Sequence, residues 1–180
     1  MSGIAFWLII SATGFQSPTV DMTTYYKIDS PDWKIVNHGL VKVWIPDSIL
    51  PVTQFTGHRS SPGSYRAKYQ DPSGNFFVNM EHLQTQVARA DLTIVQDKMA
   101  QNLREKEGVE IMEQRIVTQR GLSKIYFRLY KFDLLRSTYT ELSISTIQGR
   151  LFILSCTYTG DQDEQWKPIA LKVLASWKEA

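Results

Sequence analysis

The chain has 180 residues, of which 43% are hydrophobic and 21% charged, a usage that excludes a disordered chain and suits one domain or two small ones. Twenty Lys and Arg against eighteen Asp and Glu leave a formal charge of +2, without the basic stripe expected of a nucleic-acid binder. A single cysteine excludes an internal disulfide, a cysteine zinc cluster and an iron–sulfur centre.

The N-terminal run Ile4-Ala5-Phe6-Trp7-Leu8-Ile9-Ile10 is too short to span a bilayer, which takes about 20 apolar residues. Its length suits the apolar region of a secretory signal, with Ala12 and Gly14 as the small residues before a cleavage site and Phe15 as the first mature residue. Met1-Ser2-Gly3 contributes no Lys or Arg, so a buried N-terminal strand or an uncleaved anchor is the competing reading. Residues 1–14 are therefore expected to be a signal peptide. Residues 15–24 read as a polar tether, and residues 25–180 as one domain.

Along that domain, Val41, Val43 and Ile45 alternate in a strand that Pro46-Asp47 ends, and residues 48–63 read as an irregular connection. Tyr65–Tyr69 and Asn75–Met80 flank Asp71-Pro72-Ser73-Gly74, a hairpin turn. Leu92, Val95, Met99 and Leu103 recur at helical spacing, with Asp91 as cap and Gly108 as the left-handed stop. Alternating segments follow: 109–118, 122–132, and a hairpin of 138–147 with 151–159 across Gln148-Gly149-Arg150. They predict a meander with one wetter face. A closing amphipathic helix carries Trp166, Ile169, Val173 and Trp177 on one face. Pro168 places its regular start near Trp166, and Asp161, Asp163 and Glu164 lie where the helix dipole favours anions. Strands, helix, meander, helix is the order of an α+β fold with a central antiparallel sheet and helices packed on it.

The early strand ending in Ile45-Pro46-Asp47, the helix Val95-Met99-Leu103 before Gly108, the hairpin Thr146–Leu154 and the closing Pro168-Ile169…Val173-Leu174-Ala175-Ser176-Trp177 together resemble the PsbP/DcrB-like family. Its fold is an α/β/α sandwich shared with a small Ran-binding nuclear-import protein. The resemblance implies no particular chemistry, because members serve as photosystem II accessory subunits, as bacterial envelope proteins or as chaperones of secreted toxins.

Phosphate-binding glycine loops and the nucleophile elbow are absent from the sequence. His38, His58 and His82 lack metal-ligand spacing, and Glu81 and His82 point to opposite faces of one strand. Cys156 alternates with Phe152, Leu154 and Tyr158 and reads as an inert buried thiol. No cofactor is expected. Lys124, Tyr126, Arg128, Tyr130 and Tyr139 share a polar sheet face that reads either as a partner surface or as cross-strand packing under a covering helix.

The signal-like N-terminal run, the absence of catalytic spacing and what the family resemblance implies together lead to the expectation of a non-enzymatic accessory protein, exported to the periplasm or beyond. It would act through a protein partner, with no nucleic acid and no stable membrane span. The alternative is a cytoplasmic chaperone or adaptor that shelters an apolar segment of a secreted partner. A third class, a hydrolase or metal enzyme, would gather His58 or His82 with carboxylates in a pocket.

Overall fold

The computed structural model describes residues 32–52, 65–86, 91–119, 121–132 and 136–180. The expected signal peptide, its boundary at Gly14 and Phe15, the tether, and His58 lie outside the described residues. Strands β1 (Trp33–His38), β2 (Val41–Pro46), β3 (Leu50–Pro51), β4 (Tyr65–Gln70) and β5 (Phe76–Gln86) precede helix α1 (Leu92–Arg104). Strands β6 (Val109–Gln119), β7 (Leu122–Phe132), β8 (Ser137–Ile147) and β9 (Arg150–Thr159) follow, then helix α2 (Asp163–Ser176) and strand β10 (Lys178–Glu179).

Seven strands form one antiparallel sheet in the order β3-β4-β5-β9-β8-β7-β6, and β1-β2-β10 form a small second sheet. This is the expected α+β architecture. The Asp71–Gly74 turn closes β4 onto β5 as its residues dictate: the Asp71 carboxylate accepts from the backbone N–H groups of Ser73, Asn75 and Phe76 at 2.6–3.1 Å, and Gly74 takes φ +71°. Such side-chain to backbone bonds are the reason Asp leads tight turns.

The large sheet is covered on both faces. Ile125, Phe127, Leu129, Leu142, Ile144 and Leu151 meet Leu92, Ala100 and Leu103 of α1 in one core. On the other face, Phe76, Val78, Met80, Phe152, Leu154, Cys156 and Tyr158 pack under Ala170, Val173, Leu174 and Trp177, together with Val41, Val43 and Ile45 of the small sheet. The backbone N–H of Trp44 donates to Ser176 Oγ at 3.0 Å, which ties β2 to the end of α2. The free edge of the sheet, β6, carries a bulge between Ile111 and Glu113, a device that discourages strand addition.

Several boundaries differ from the sequence reading. Helix α2 starts at Asp163, not near Trp166, and holds Pro168 inside. The N–H that proline lacks would have bonded to Glu164, an exposed residue whose carbonyl water can satisfy. Helix α1 ends at Arg104, and Gly108 (φ +71°) serves the turn into β6 instead of the helix stop. Asp91 precedes α1 without a side-chain capping bond. Leu50–Pro51 adds a short edge strand inside the expected connection. The meander has no wetter face in its centre, because α2 lies over the polar stripe.

Candidate functional site

The polar face of β7 and β8 is built by register. Antiparallel pairing sets Arg128 opposite Glu141, Tyr126 opposite Ser143 and Tyr130 opposite Tyr139. Pairing of β8 with β9 brings Tyr158 beside Tyr139 and Cys156 beside Glu141. All these side chains, two residues apart along each strand, project toward α2.

At the centre lies Glu141, whose exposure is 0%. The Tyr126 hydroxyl donates to its Oε2, and the Tyr158 oxygen lies 2.9 Å from its Oε1. The same Tyr158 oxygen is 2.9 Å from Asp163 Oδ1, in the first turn of α2. Arg128 Nη2 donates to both Asp163 oxygens at 2.8 and 2.9 Å. Its Nε stands 3.3 Å from Glu141 Oε1, without the alignment of a hydrogen bond. The guanidinium lies over the Tyr139 ring at 4.6 Å, and Tyr139 packs against Tyr130 at 5.1 Å.

Burial raises the Glu141 carboxyl above its ordinary range, outweighing the hydrogen bonds from Tyr126 and Tyr158 and the charge of Arg128. Burial and the neighbouring Glu141 push Tyr126 and Tyr158 upward. Cys156 is buried, as its strand position implied, and burial raises its thiol.

Lys124 occupies the other end of the stripe. Its ammonium donates to the carbonyls of Leu174 and Trp177 at 3.4 and 3.1 Å and lies over the Trp177 ring at 4.3 Å. A cation there complements the C-terminal carbonyls of α2. Beside it, Gln119, Leu122, Ala175 and Lys178 line a shallow cleft of about 390 Å³.

The structure therefore separates the five residues. Lys124 and Tyr126 are buried and Arg128 is nearly so; Lys124 and Arg128 bond to the two ends of α2, while Tyr126 holds Glu141 on the neighbouring strand, and Tyr130 and Tyr139 stay half-buried at the open end of the stripe. The reading of cross-strand packing under a covering helix describes the first three. Phe132 continues the Tyr130 side of β7 and is 63% exposed. Glu141, Tyr158 and the Arg128–Asp163 pair escaped the sequence reading. Counting the β7–β8 register outward from the loop puts Glu141 opposite Arg128 and is the signal that finds Glu141; the β8–β9 register adds Tyr158, and no local signal finds Asp163 as the partner of Arg128.

His82 is buried with Nε2 lacking a hydrogen-bond partner, near the Phe152 ring at 6.3 Å. Burial, then Arg150 and His38, lower its pKa. Among the described residues, no group of three or more His, Cys, Asp and Glu is placed to hold a metal ion.

No family model matches the sequence, and no curated protein matches it. Solved structures do match in shape. Cyanobacterial PsbP (CyanoP) from Synechocystis sp. PCC 6803 is similar with a TM-score of 0.56 at 12% identity, over 86% of this chain and 96% of that one. LpqN of Mycobacterium tuberculosis, described as involved in cell envelope biogenesis, gives 0.48 at 11% identity over 82% and 90%. A Pseudomonas aeruginosa protein of unknown function, PA94, gives 0.45 at 13% over 76% and 89%. The fold is PsbP/DcrB-like.

Proposed function

We propose that this chain is an exported, non-enzymatic accessory protein of the bacterial envelope that acts through protein–protein contacts. The observation that carries the reading is the division of the polar stripe. Its acid–base groups, Glu141, Arg128, Asp163 and the two tyrosines, are consumed in hydrogen bonds to one another beneath and at the start of α2. Its outer end presents Tyr130, Tyr139 and the 63% exposed ring of Phe132. Exposed aromatic surface at a strand end is the composition that protein interfaces favour. The PsbP-like fold supports the accessory role by analogy only. Among the described residues, no helix is long and apolar enough to cross a membrane.

Two measurements in the native host test this. Intact mass of the protein from the envelope fraction is expected to start at Phe15. A full-length product confined to the cytosol would overturn export and favour the cytoplasmic chaperone. A photo-crosslinking side chain at position 132 is expected to give one discrete adduct, absent with the same group at exposed Lys98 on α1. Equal, diffuse labelling at both positions would remove the aromatic end as the partner surface.

A further inference from the structure

The oxygen contacts around Glu141 outnumber the protons that the tyrosines can supply. Tyr126 meets Glu141, while Tyr158 meets both Glu141 and Asp163, each at 2.9 Å. Three oxygen–oxygen contacts need three protons, and two phenols provide two. With both carboxyls ionised, one contact would set lone pairs face to face. Asp163 already holds the Arg128 charge through two hydrogen bonds, and Glu141 is the carboxyl with no exposure to water.

We propose that Glu141 is a neutral carboxylic acid whose proton completes a hydrogen-bonded chain from the sheet to the first turn of α2, a latch that loosens when that proton leaves. In this chain Glu141 Oε1–H donates to Tyr158, the Tyr158 hydroxyl donates to Asp163, and Asp163 accepts from Arg128. The Tyr126 hydroxyl closes the other side on Oε2. The groups facing Glu141 are Tyr126 and Arg128 from β7, Cys156 and Tyr158 from β9, and Asp163 and Lys167 from α2, with Glu113 and Arg115 of β6 reached through Tyr126. Ionisation hands the proton to solvent and leaves a carboxylate under α2 beside Asp163, with one guanidinium between two negative charges. Burial raises the Glu141 pKa. A folded-state pKa above the unfolded one means that the folded chain binds the proton more tightly. The latch is thus whole below the ordinary glutamate value, near 4.3, and is lost as pH rises through the raised value. The inference stands on this geometry and does not depend on export or on a partner.

Amide hydrogen exchange across α2 in wild type and in Glu141→Gln tests it, since the amide donates to Tyr158 and accepts from Tyr126 as the neutral acid would. In wild type the α2 opening constant, corrected for intrinsic exchange, is expected to rise up to about tenfold per pH unit within the window. In Glu141→Gln it is expected to stay flat. A wild-type profile as flat as the variant's, or equal slopes in both, overturns the latch. Should the variant fail to fold, the ¹³Cδ shift of Glu141 in the labelled wild-type protein decides. A protonated shift at a pH where exposed glutamates have ionised supports the latch, and an ionised shift there overturns it.

Discussion

Gly108 and Gly121 have nearly the same backbone, φ +71° and +75°, yet their surroundings differ. A Cβ on Gly108 would lie 2.6 Å from the carbonyl oxygen of Phe132, whereas one on Gly121 would meet nothing within 4 Å. Both alanine variants incur the left-handed penalty of about 1–2 kcal/mol, but Gly108→Ala must also displace backbone that is fixed by the Phe132 N–H to Gly108 bond of 3.0 Å. Denaturant midpoints should show Gly108→Ala losing at least twice what Gly121→Ala loses; equal losses would contradict the close approach. The sequence reading marked Gly108 as left-handed correctly but attached it to the wrong element. Residue type reports the backbone angle, and only a neighbour 24 positions away, here Phe132, reveals what the missing side chain makes room for.

Among the elements, α2 joins more parts of the molecule than its amphipathic pattern implies. Trp177, the residue that caps the end of α2 and is 2% exposed, packs tilted against Phe152 at 4.9 Å, carries Lys124 on its face and donates from Nε1 to Ser143 Oγ at 3.2 Å. Trp177→Ala should cost about 3–5 kcal/mol of unfolding free energy. Asp163→Asn should cost about 1–3 kcal/mol, because a partly buried charge-assisted pair is weakened while its shape is kept. Urea unfolding measures both, and a loss below about 1 kcal/mol for Trp177→Ala would refute its role as the anchor. Elements 92–103 and 122–132 were legible because their apolar residues repeat at one period. The polar stripe was ambiguous because Lys124, Tyr126 and Arg128 carry the residue types of a solvated face. Their partners, Leu174, Glu141 and Asp163, come from other elements.

For the whole molecule, the pairing of β5 with β9 dominates the cost of assembly. Phe76 meets Tyr158 and Met80 meets Leu154, contacts that close more than 70 residues of chain and lie at the centre of the seven-stranded sheet. Closing such long loops before the sheet gains its contacts slows folding, so refolding should take milliseconds to seconds, as in other strand-rich domains. Stopped-flow tryptophan fluorescence reads this, and a microsecond phase with full amplitude would refute the cost assigned to the β5–β9 pairing. Trp44, Trp166 and Trp177 make the signal informative, since they lie where β2, β5 and β9 meet α2.

Period and turn chemistry, both local, determined the strands of the meander, the Asp71–Gly74 hairpin and the existence of both helices. The burial of Cys156 also followed from its alternation with Phe152, Leu154 and Tyr158. What covers each face of the sheet was decided only by the tertiary structure. A stripe of Lys, Tyr, Arg and Glu is stable in water or, when its members pair, beneath a helix, and composition is the same in both cases. The three-dimensional register chose the second by placing Glu141, Arg128 and Tyr158 within reach of Asp163. Burial then turned a surface-like sequence into the bonded interior of α2's seat.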